Sequence, residues 1–279
     1  MSGFLIIGLG KIGLSVANTL AEQGEQVIAV NRSPRPTLNP NIALVQKDAR
    51  LLTINDFGSN AQAITHACII VSPTESTEQG YRDSYFAISE NFAKLANDLP
   101  KLQRVVFISS TSVYGQNTGD IIDINTPLQP PTAKTAQMLL QTEGLLQQNF
   151  GDKCTIIRPS GIYGKDRLRL VKISEQLANN QIELPVNSWT NRIFDTDLVT
   201  VIVKVLQANQ PLPLYLATDF EPVPMFEVLA FLAKQQNLIL NLPTQTANTG
   251  KRLISNLPQN WLHYPNYQTG YQKILSYLT

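Results

Sequence analysis

The clearest chemistry in the chain lies in six residues close to its start, Gly8-Leu9-Gly10-Lys11-Ile12-Gly13. A strand-like apolar run, FLII, precedes them, and a helical pattern, LSVANTLAEQG, follows. In that setting the three glycines do different things. Gly8 makes the tight turn, Gly10 lets backbone approach a diphosphate, and Gly13 lets the helix pack on the strand. The first amides of the helix, around Lys11 and Ile12, and its positive dipole end then receive the phosphates. This spacing predicts a dinucleotide cradle. At the end of the second apolar run an acidic residue would accept hydrogen bonds from both adenine-ribose hydroxyls and repel a 2′-phosphate. The chain has Asn31-Arg32 there, with Arg35 nearby. A guanidinium pairs with phosphate in a bidentate way, so NADP(H) is expected over NAD(H). Asp48, behind the third run, is a candidate acceptor for the adenine amine; a helix cap or turn aspartate is the competing role.

Something must hold these residues in line. Short β-branched runs recur through the first half, FLIIG, QVIAV, IALV, ACIIV, RVVFIS and CTIIR, with helical stretches expected at about 11–23, 81–97 and 132–149. Pro100 and Gly151 are plausible stops. The runs are apolar on both faces, which requires cover on both faces, the condition of a parallel sheet between helices. Residues 1–160 therefore read as an α/β doubly wound parallel sheet, a Rossmann fold. From 161 to 279 the rhythm changes: LVTVIVKVLQ and MFEVLAFLAKQQ look helical, PLYLA looks like a strand, and Pro and Asn become frequent. This second part reads as a small α+β substrate-binding cap, interleaved with the sheet. Asn31 to Pro40 reads as a surface loop.

Composition narrows the partners. Charged residues make up only 15% of the 279 residues and the net charge is +1. Such a chain has no long-range field for nucleic acid or anionic lipid, and no apolar run approaches the roughly 20 residues that span a bilayer. The apolar start lacks a basic leader and a small-residue cleavage site. Cys68 and Cys154 both sit in apolar runs, which suggests a reducing, cytoplasmic setting. His66 and His263 are too few for a Cys/His metal set or a Ser-His-Asp triad, so no metal site is expected. Asp195 and Asp197 read as first-turn helix residues. Lys165, Asp166, Arg167 and Arg169 form either a solvated turn or a phosphate-binding group behind the sixth run.

Two further motifs, Ser109-Ser110-Thr111-Ser112-Val113-Tyr114-Gly115 and Arg158-Pro159-Ser160-Gly161-Ile162-Tyr163-Gly164, end the fifth and sixth runs. With the glycine loop they resemble the extended short-chain dehydrogenases/reductases, the NAD(P)-dependent epimerase/dehydratase family. NRIFDTDL resembles that family's segment before a cap helix, and GKRLISN with YPNYQTGYQKIL resembles its atypical, YeeZ-like bacterial subgroup. The resemblance covers nearly the whole chain. It implies that Ala49, Ser72, Pro73, Ser109, Pro159 and Gly161 line the cofactor, and that Ser110 orients the substrate oxygen. It also suggests a homodimer through helices 81–97 and 132–149.

In that family a Tyr transfers the proton and a Lys four residues on lowers the Tyr pKa. The corresponding segment here, PTAKTAQMLLQTEG, contains no Tyr. Anchoring on Glu143 puts Thr135 and Leu139 at the two positions; anchoring on the prolines gives Thr132 and Ala136. A threonine hydroxyl cannot replace a phenol whose reference pKa is about 10. Lys134, Tyr114 and Tyr163 are the candidate substitutes. Three outcomes stay open. The chain is an NAD(P)-dependent oxidoreductase or isomerase acting on a small, nucleotide-sugar-like carbonyl or hydroxyl substrate; it is a non-catalytic NADP(H) sensor or partner-binding protein; or it is a relic of the fold with an unrelated ligand.

Overall fold

A computed structural model describes residues 3–35 and 37–278; Pro36, inside the expected surface loop, lies outside the described residues. The strands are β1 (Gly3–Ile7), β2 (Gln26–Asn31), β3 (Ala43–Gln46), β4 (Ile64–Ile69), β5 (Arg104–Ile108), β6 (Thr118–Ile122), β7 (Cys154–Pro159), β8 (Gly161–Tyr163), β9 (Trp189–Thr190), β10 (Arg192–Phe194), β11 (Leu214–Ala217), β12 (Val223–Pro224) and β13 (Gly250–Leu253). The helices are α1 (Lys11–Glu22), α2 (Glu78–Tyr81), α3 (Ala87–Leu95), α4 (Lys134–Phe150), α5 (Arg169–Ala178), α6 (Asp195–Gln207), α7 (Met225–Gln235) and α8 (Tyr267–Leu275).

Seven strands form one sheet in the order β11-β7-β5-β4-β1-β2-β3. The pairings of β1 with β2 and β4, β2 with β3, β4 with β5 and β5 with β7 are all parallel. The expected α/β doubly wound architecture is the observed one. All residues of β1 and β7 are buried, which explains why these runs are apolar on both faces. Chain order moves outward from β1 to β3 and then returns to β4 on the other side of β1. That reversal opens a crevice at the carboxyl ends of β1 and β4, where ligands bind in sheets of this kind.

The chain divides into two compact units, both discontinuous. The first runs to Val113 and takes in Pro130–Arg158 and Val199–Tyr215; the second comprises Tyr114–Gln129, Pro159–Leu198 and the chain from Leu216 on. In the first unit, α3 packs on α4 through Phe92 and Phe150, with ring centroids 5.7 Å apart. Helix α4 stops at Gly151, whose φ of 51° no β-carbon-bearing residue adopts readily. The guanidinium of Arg104, on β5, donates to the carbonyls of Val205, Leu206 and Ala208 at 3.1, 2.9 and 2.5 Å, closing the last turn of α6. The second unit carries a four-stranded sheet, β12-β9-β13-β6, the pair β10-β8, and an aromatic core built on Tyr163, Phe194, Tyr267 and Tyr271.

The stretch 81–97, expected as one helix, is helical throughout, with one irregular turn inside it. Between α2 and α3 the backbone makes a π-helical turn, Arg82–Phe86. Neither glycine nor proline marks the segment Arg82–Phe86.

Candidate functional site

The parallel sheet brings most of the sequence-derived residues to one edge. Gly8 follows β1, Asn31 ends β2, Asp48 and Ala49 follow β3, Ser72 and Pro73 follow β4, Ser109 and Ser110 follow β5, and Pro159 ends β7. All lie at carboxyl ends of neighbouring strands. Gly161 falls in β8, within the second unit.

Gly8 has φ of 101°, and a β-carbon there would collide with the Ile70 carbonyl and stand 3.0 Å from Val71 Cγ1. Only glycine suits that position. Gly13 is pressed equally hard: a β-carbon would overlap the Gly8 carbonyl and lie 3.0 Å from Ile70 Cγ2. At Gly10, in contrast, a β-carbon would meet nothing within 4 Å. The bend is thus packed tightly from behind at Gly8 and Gly13 and open in front at Gly10. Gly10 is also the N-cap of α1, and no acidic residue stands in that helix's first turn. The arrangement leaves the positive end of the helix facing open space at a glycine, which fits a diphosphate.

Asn31 bridges this bend to the next loop. Its Oδ1 accepts from the Leu9 N–H at 3.4 Å, and its Nδ2 donates to the Ser33 carbonyl at 2.6 Å. Arg32 is exposed beside it. Asp48 is engaged locally: it accepts from the Arg50 N–H at 2.9 Å and pairs with the Arg50 guanidinium at 2.7 Å, which holds its carboxyl below the usual range. Ala49 is buried, and its carbonyl accepts from Asn91 Nδ2 at 3.0 Å. Ser72 is exposed and Pro73 half-buried.

At the end of β5 the two serines part. Ser110 is half-buried, and its Oγ accepts from the Ser112 N–H at 3.1 Å. Ser109 is buried and donates to Glu143 Oε1 at 2.5 Å. Arg158 closes the group: its Nε donates to Glu143 Oε1 at 3.0 Å and its Nη2 to Oε2 at 2.6 Å. Sequence reasoning used Glu143 only as an anchor and missed this ion pair. A signal was present, because Ala136, Leu139, Glu143 and Leu146 form one buried stripe of α4, and a carboxylate on an apolar stripe needs a cation.

Of the positions that carry Tyr and Lys in the family, Thr135 is half-buried and Leu139 is fully buried in apolar packing. Lys134 is exposed at the first position of α4. Tyr114 and Tyr163 are 1% and 4% exposed. Tyr163 stacks on Tyr271 with ring centroids 4.7 Å apart, and its hydroxyl abuts Gly270; burial raises its pKa. Both tyrosines are interior groups of the second unit.

The remaining titratable groups have structural settings. His66 stacks on Phe4 at 5.0 Å, and burial, with Arg104 adding to it, pulls its pKa down to about 4. Burial pushes the Cys68 thiol up and the Cys154 thiol up to about 12, so neither is a thiolate at neutral pH. Asp197 accepts from the N–H groups of His263 and Tyr264, both at 2.9 Å, and ties the start of α6 to the C-terminal segment. The Lys165 ammonium lies 5.3 Å over the Tyr277 ring. Among the described residues, no three His, Cys, Asp or Glu side chains gather as a metal site would require, and no helix is long and apolar enough to cross a membrane.

A parallel sheet with a glycine bend at its reversal point defines a dinucleotide-binding protein of the doubly wound class. The chain belongs to the NAD-dependent epimerase/dehydratase family, whose model matches residues 4–214. The family binds NAD(P). Protein YeeZ of Escherichia coli K12 is 27% identical over 175 residues, 60% of this chain, and the match spans 61% of its own length. A 3-beta-hydroxysteroid dehydrogenase of Mycolicibacterium neoaurum is 26% identical over 247 residues, covering 79% of this chain and 66% of that one. Among solved structures, a protein of Methylobacillus flagellatus provisionally assigned as an NAD-dependent epimerase/dehydratase superposes with a TM-score of 0.80 at 28% identity, over 99% of this chain and 98% of its own. MoeE5, solved with UDP-glucose and NAD, shares the fold at a TM-score of 0.76 and 15% identity, over 100% and 98% of the two chains.

Proposed function

We propose that the first unit binds NADP(H) in preference to NAD(H), and that the chain uses it on a carbonyl or hydroxyl of a small substrate of the nucleotide-sugar class. The observation that carries the cofactor reading is the bend closed at Gly8 and Gly13 and open at Gly10, beneath a first turn of α1 that begins at Lys11 and holds no acidic residue. When bound, the cofactor supplies a hydride donor or acceptor. The amides from Gly10 to Gly13 bind the diphosphate. Asn31 carries no carboxylate and gives its side chain to the Leu9 amide and the Ser33 carbonyl, and the exposed Arg32, whose charge helps to hold the Asp48 carboxyl below its usual range, pairs with the 2′-phosphate. Ser110 orients the substrate oxygen. Within the first unit, Asp48 and Ala49 border the adenine, and Ser72, Pro73 and Ser109 line the remainder of the cofactor. The substrate class is supported by MoeE5, which holds UDP-glucose on this fold. A homodimer through α3 and α4 and a cytoplasmic location belong to the same reading.

Calorimetric titration tests it. NADP⁺ should bind at least about tenfold more tightly than NAD⁺, since a charged hydrogen bond contributes roughly 1.5–3 kcal/mol. Arg32→Ala should erase that difference while leaving NAD⁺ affinity unchanged. Absence of binding by all four nicotinamide dinucleotides at millimolar concentration would sink the reading. Thr135 and Leu139 favour a second one, a non-catalytic NADP(H) sensor. A sensor binds the dinucleotide yet exchanges no hydride across a broad panel of sugars, aldehydes and ketones.

A further inference from the structure

The second unit encloses a polar cluster beneath α8. Arg192 of β10 is 3% exposed, and Asp219, just beyond β11, is 1% exposed. The Arg192 guanidinium donates through Nη2 to Thr190 Oγ1 at 2.6 Å, while its Nη1 has no hydrogen-bond partner among the described residues. The same holds for Asp219 Oδ2 and for the hydroxyl of Tyr163 on β8. The backbone fixes these groups beside one another: the Asp219 N–H donates to the Arg192 carbonyl at 2.7 Å, and β8 pairs with β10. Buried polar atoms are nearly always bonded, and a buried charge left without a partner is costly.

What covers the cluster is aromatic. The Arg192 guanidinium lies 5.6 Å from the Tyr267 ring and 5.9 Å from the Tyr271 ring, both on α8. The Tyr163 ring packs on Tyr271, and its hydroxyl abuts Gly270 of the same helix. A ring face holds a guanidinium well but gives nothing to a carboxylate. The helix is anchored by the segment before it: Asp197 accepts from the His263 and Tyr264 N–H groups, the Phe220 N–H donates to the Pro265 carbonyl at 3.0 Å, and Asn266 caps the first turn through the Thr269 N–H at 3.0 Å. Past that anchor α8 meets the unit through apolar and ring packing, with Tyr267 edge-on to Phe231 of α7 at 5.5 Å.

A charge on Asp219 works against this seating. Burial raises its pKa to about 7, Arg192 opposing and the Glu221 charge adding to the rise. Tyr163 of β8 and Tyr271 of α8 also face it; burial raises both, and the Asp219 charge raises them further. Further out, Asp197 of α6 acts on Tyr163, Glu227 of α7 acts on Tyr267, and His263 acts on Asp197. Protonated, Asp219 leaves the guanidinium to the tyrosine faces. Ionised, it is an enclosed carboxylate with no donor at Oδ2, and lifting α8 gives water to it, to Arg192 Nη1 and to the Tyr163 hydroxyl.

We propose that α8 is a pH-sensitive strap: protonated Asp219 keeps it seated over Arg192 and Tyr163, and ionised Asp219 releases it, the helix pivoting about Pro265 and Asn266. Every residue involved lies in the second unit, so the strap is independent of the cofactor reading.

Amide hydrogen exchange of the native protein, corrected for the intrinsic pH dependence of exchange, tests it. With Asp219 at the ordinary 3.8 when α8 is open and at about 7 when it is seated, the opening equilibrium should rise roughly twentyfold between pH 5.5 and pH 7.5. Protection across Tyr267–Leu275 should fall by that factor, and it should stay at least about tenfold below the protection of β13 at every pH, the mark of local opening rather than unfolding of the whole unit. Asp219→Asn should make the α8 profile flat. Glu221→Gln removes a charge that raises the Asp219 pKa, so the fall should level off at lower pH; this variant and the native profile decide the matter even if the Asp219 variant folds poorly. His263→Gln should leave the fall in place. Protection in α8 that does not change with pH, that equals the protection of β13 throughout, or whose fall disappears with His263 instead of Asp219, would overturn the proposal.

Discussion

Replacing Glu143 with Gln is the sharpest test of how the first unit is held beneath its site. The carboxylate is 1% exposed and accepts three hydrogen bonds: from Ser109 Oγ at 2.5 Å, Arg158 Nε at 3.0 Å and Arg158 Nη2 at 2.6 Å. A glutamine keeps the shape but sets an amide N–H₂ against the guanidinium and takes the Glu143 charge away from the buried Arg158. Removing one partner of a buried pair costs about 3–5 kcal/mol. With a urea dependence of about 3 kcal/mol per molar, the unfolding midpoint should fall by at least about 1 M. The double variant Glu143→Leu, Arg158→Met removes both charges and should return to within about 1 kcal/mol of the parent, because a buried pair replaced by well-packed apolar groups is often neutral. The assay is urea unfolding followed by tryptophan fluorescence and circular dichroism. A single variant as stable as the parent, or a double variant as weak as the sum of its singles, would refute the reasoning.

Gly10→Ala should leave the melting temperature within about 2 °C of the parent, because a methyl there meets nothing, yet weaken NADP⁺ binding at least about tenfold; Gly13→Ala should lose both, since its methyl overlaps the Gly8 carbonyl. Burial raises the Asp219 pKa to about 7, so between about pH 4 and pH 7 the folded state binds the extra proton and this group lowers stability as pH rises; Asp219→Asn should remove that falling component in unfolding curves measured across the range. His66, pulled down to about 4, has the opposite sign: the unfolded state binds the proton first, so stability is lost as pH falls from about 6.5 to 4, and His66→Phe should abolish that loss. Arg104→Met strips the last turn of α6 of its donors and should lower stability by about 2 kcal/mol in the same urea assay.

The sheet was legible because its inner strands are covered on both faces, and the runs FLIIG, ACIIV, RVVFIS and CTIIR carry that cover in their composition, whereas IALV forms the edge strand β3, none of whose residues is buried. The glycine bend was legible for a related reason: glycine at Gly8 and Gly13 answers local steric demands that sequence expresses directly. Contacts set by distant backbone were not legible. The π-helical turn at Arg82–Phe86 carries neither glycine nor proline, and the packing of Tyr81 on Tyr85 and of Tyr85 on Phe107 emerges only in three dimensions. Asp48 had two readings of similar weight, and its bonds to Arg50 are those of a turn aspartate. The discontinuity of the two units follows from Tyr114–Gln129 and Val199–Tyr215, segments whose composition does not mark them as exchanged.

The position of β11 at the end of the large sheet has a consequence for biosynthesis. Strand β7, buried along its whole length, receives its outer neighbour only from Leu214–Ala217; the Ile156 amide bonds the Pro213 carbonyl at 2.9 Å and the Ser160 amide the Ala217 carbonyl at 3.0 Å. While the ribosome is still translating the codons between Pro159 and Leu214, the emerging polypeptide carries an apolar strand with one side unsatisfied, a template for pairing with other nascent chains. Fragments that stop in that interval should therefore precipitate, whereas those that extend past Ala217 have closed the edge.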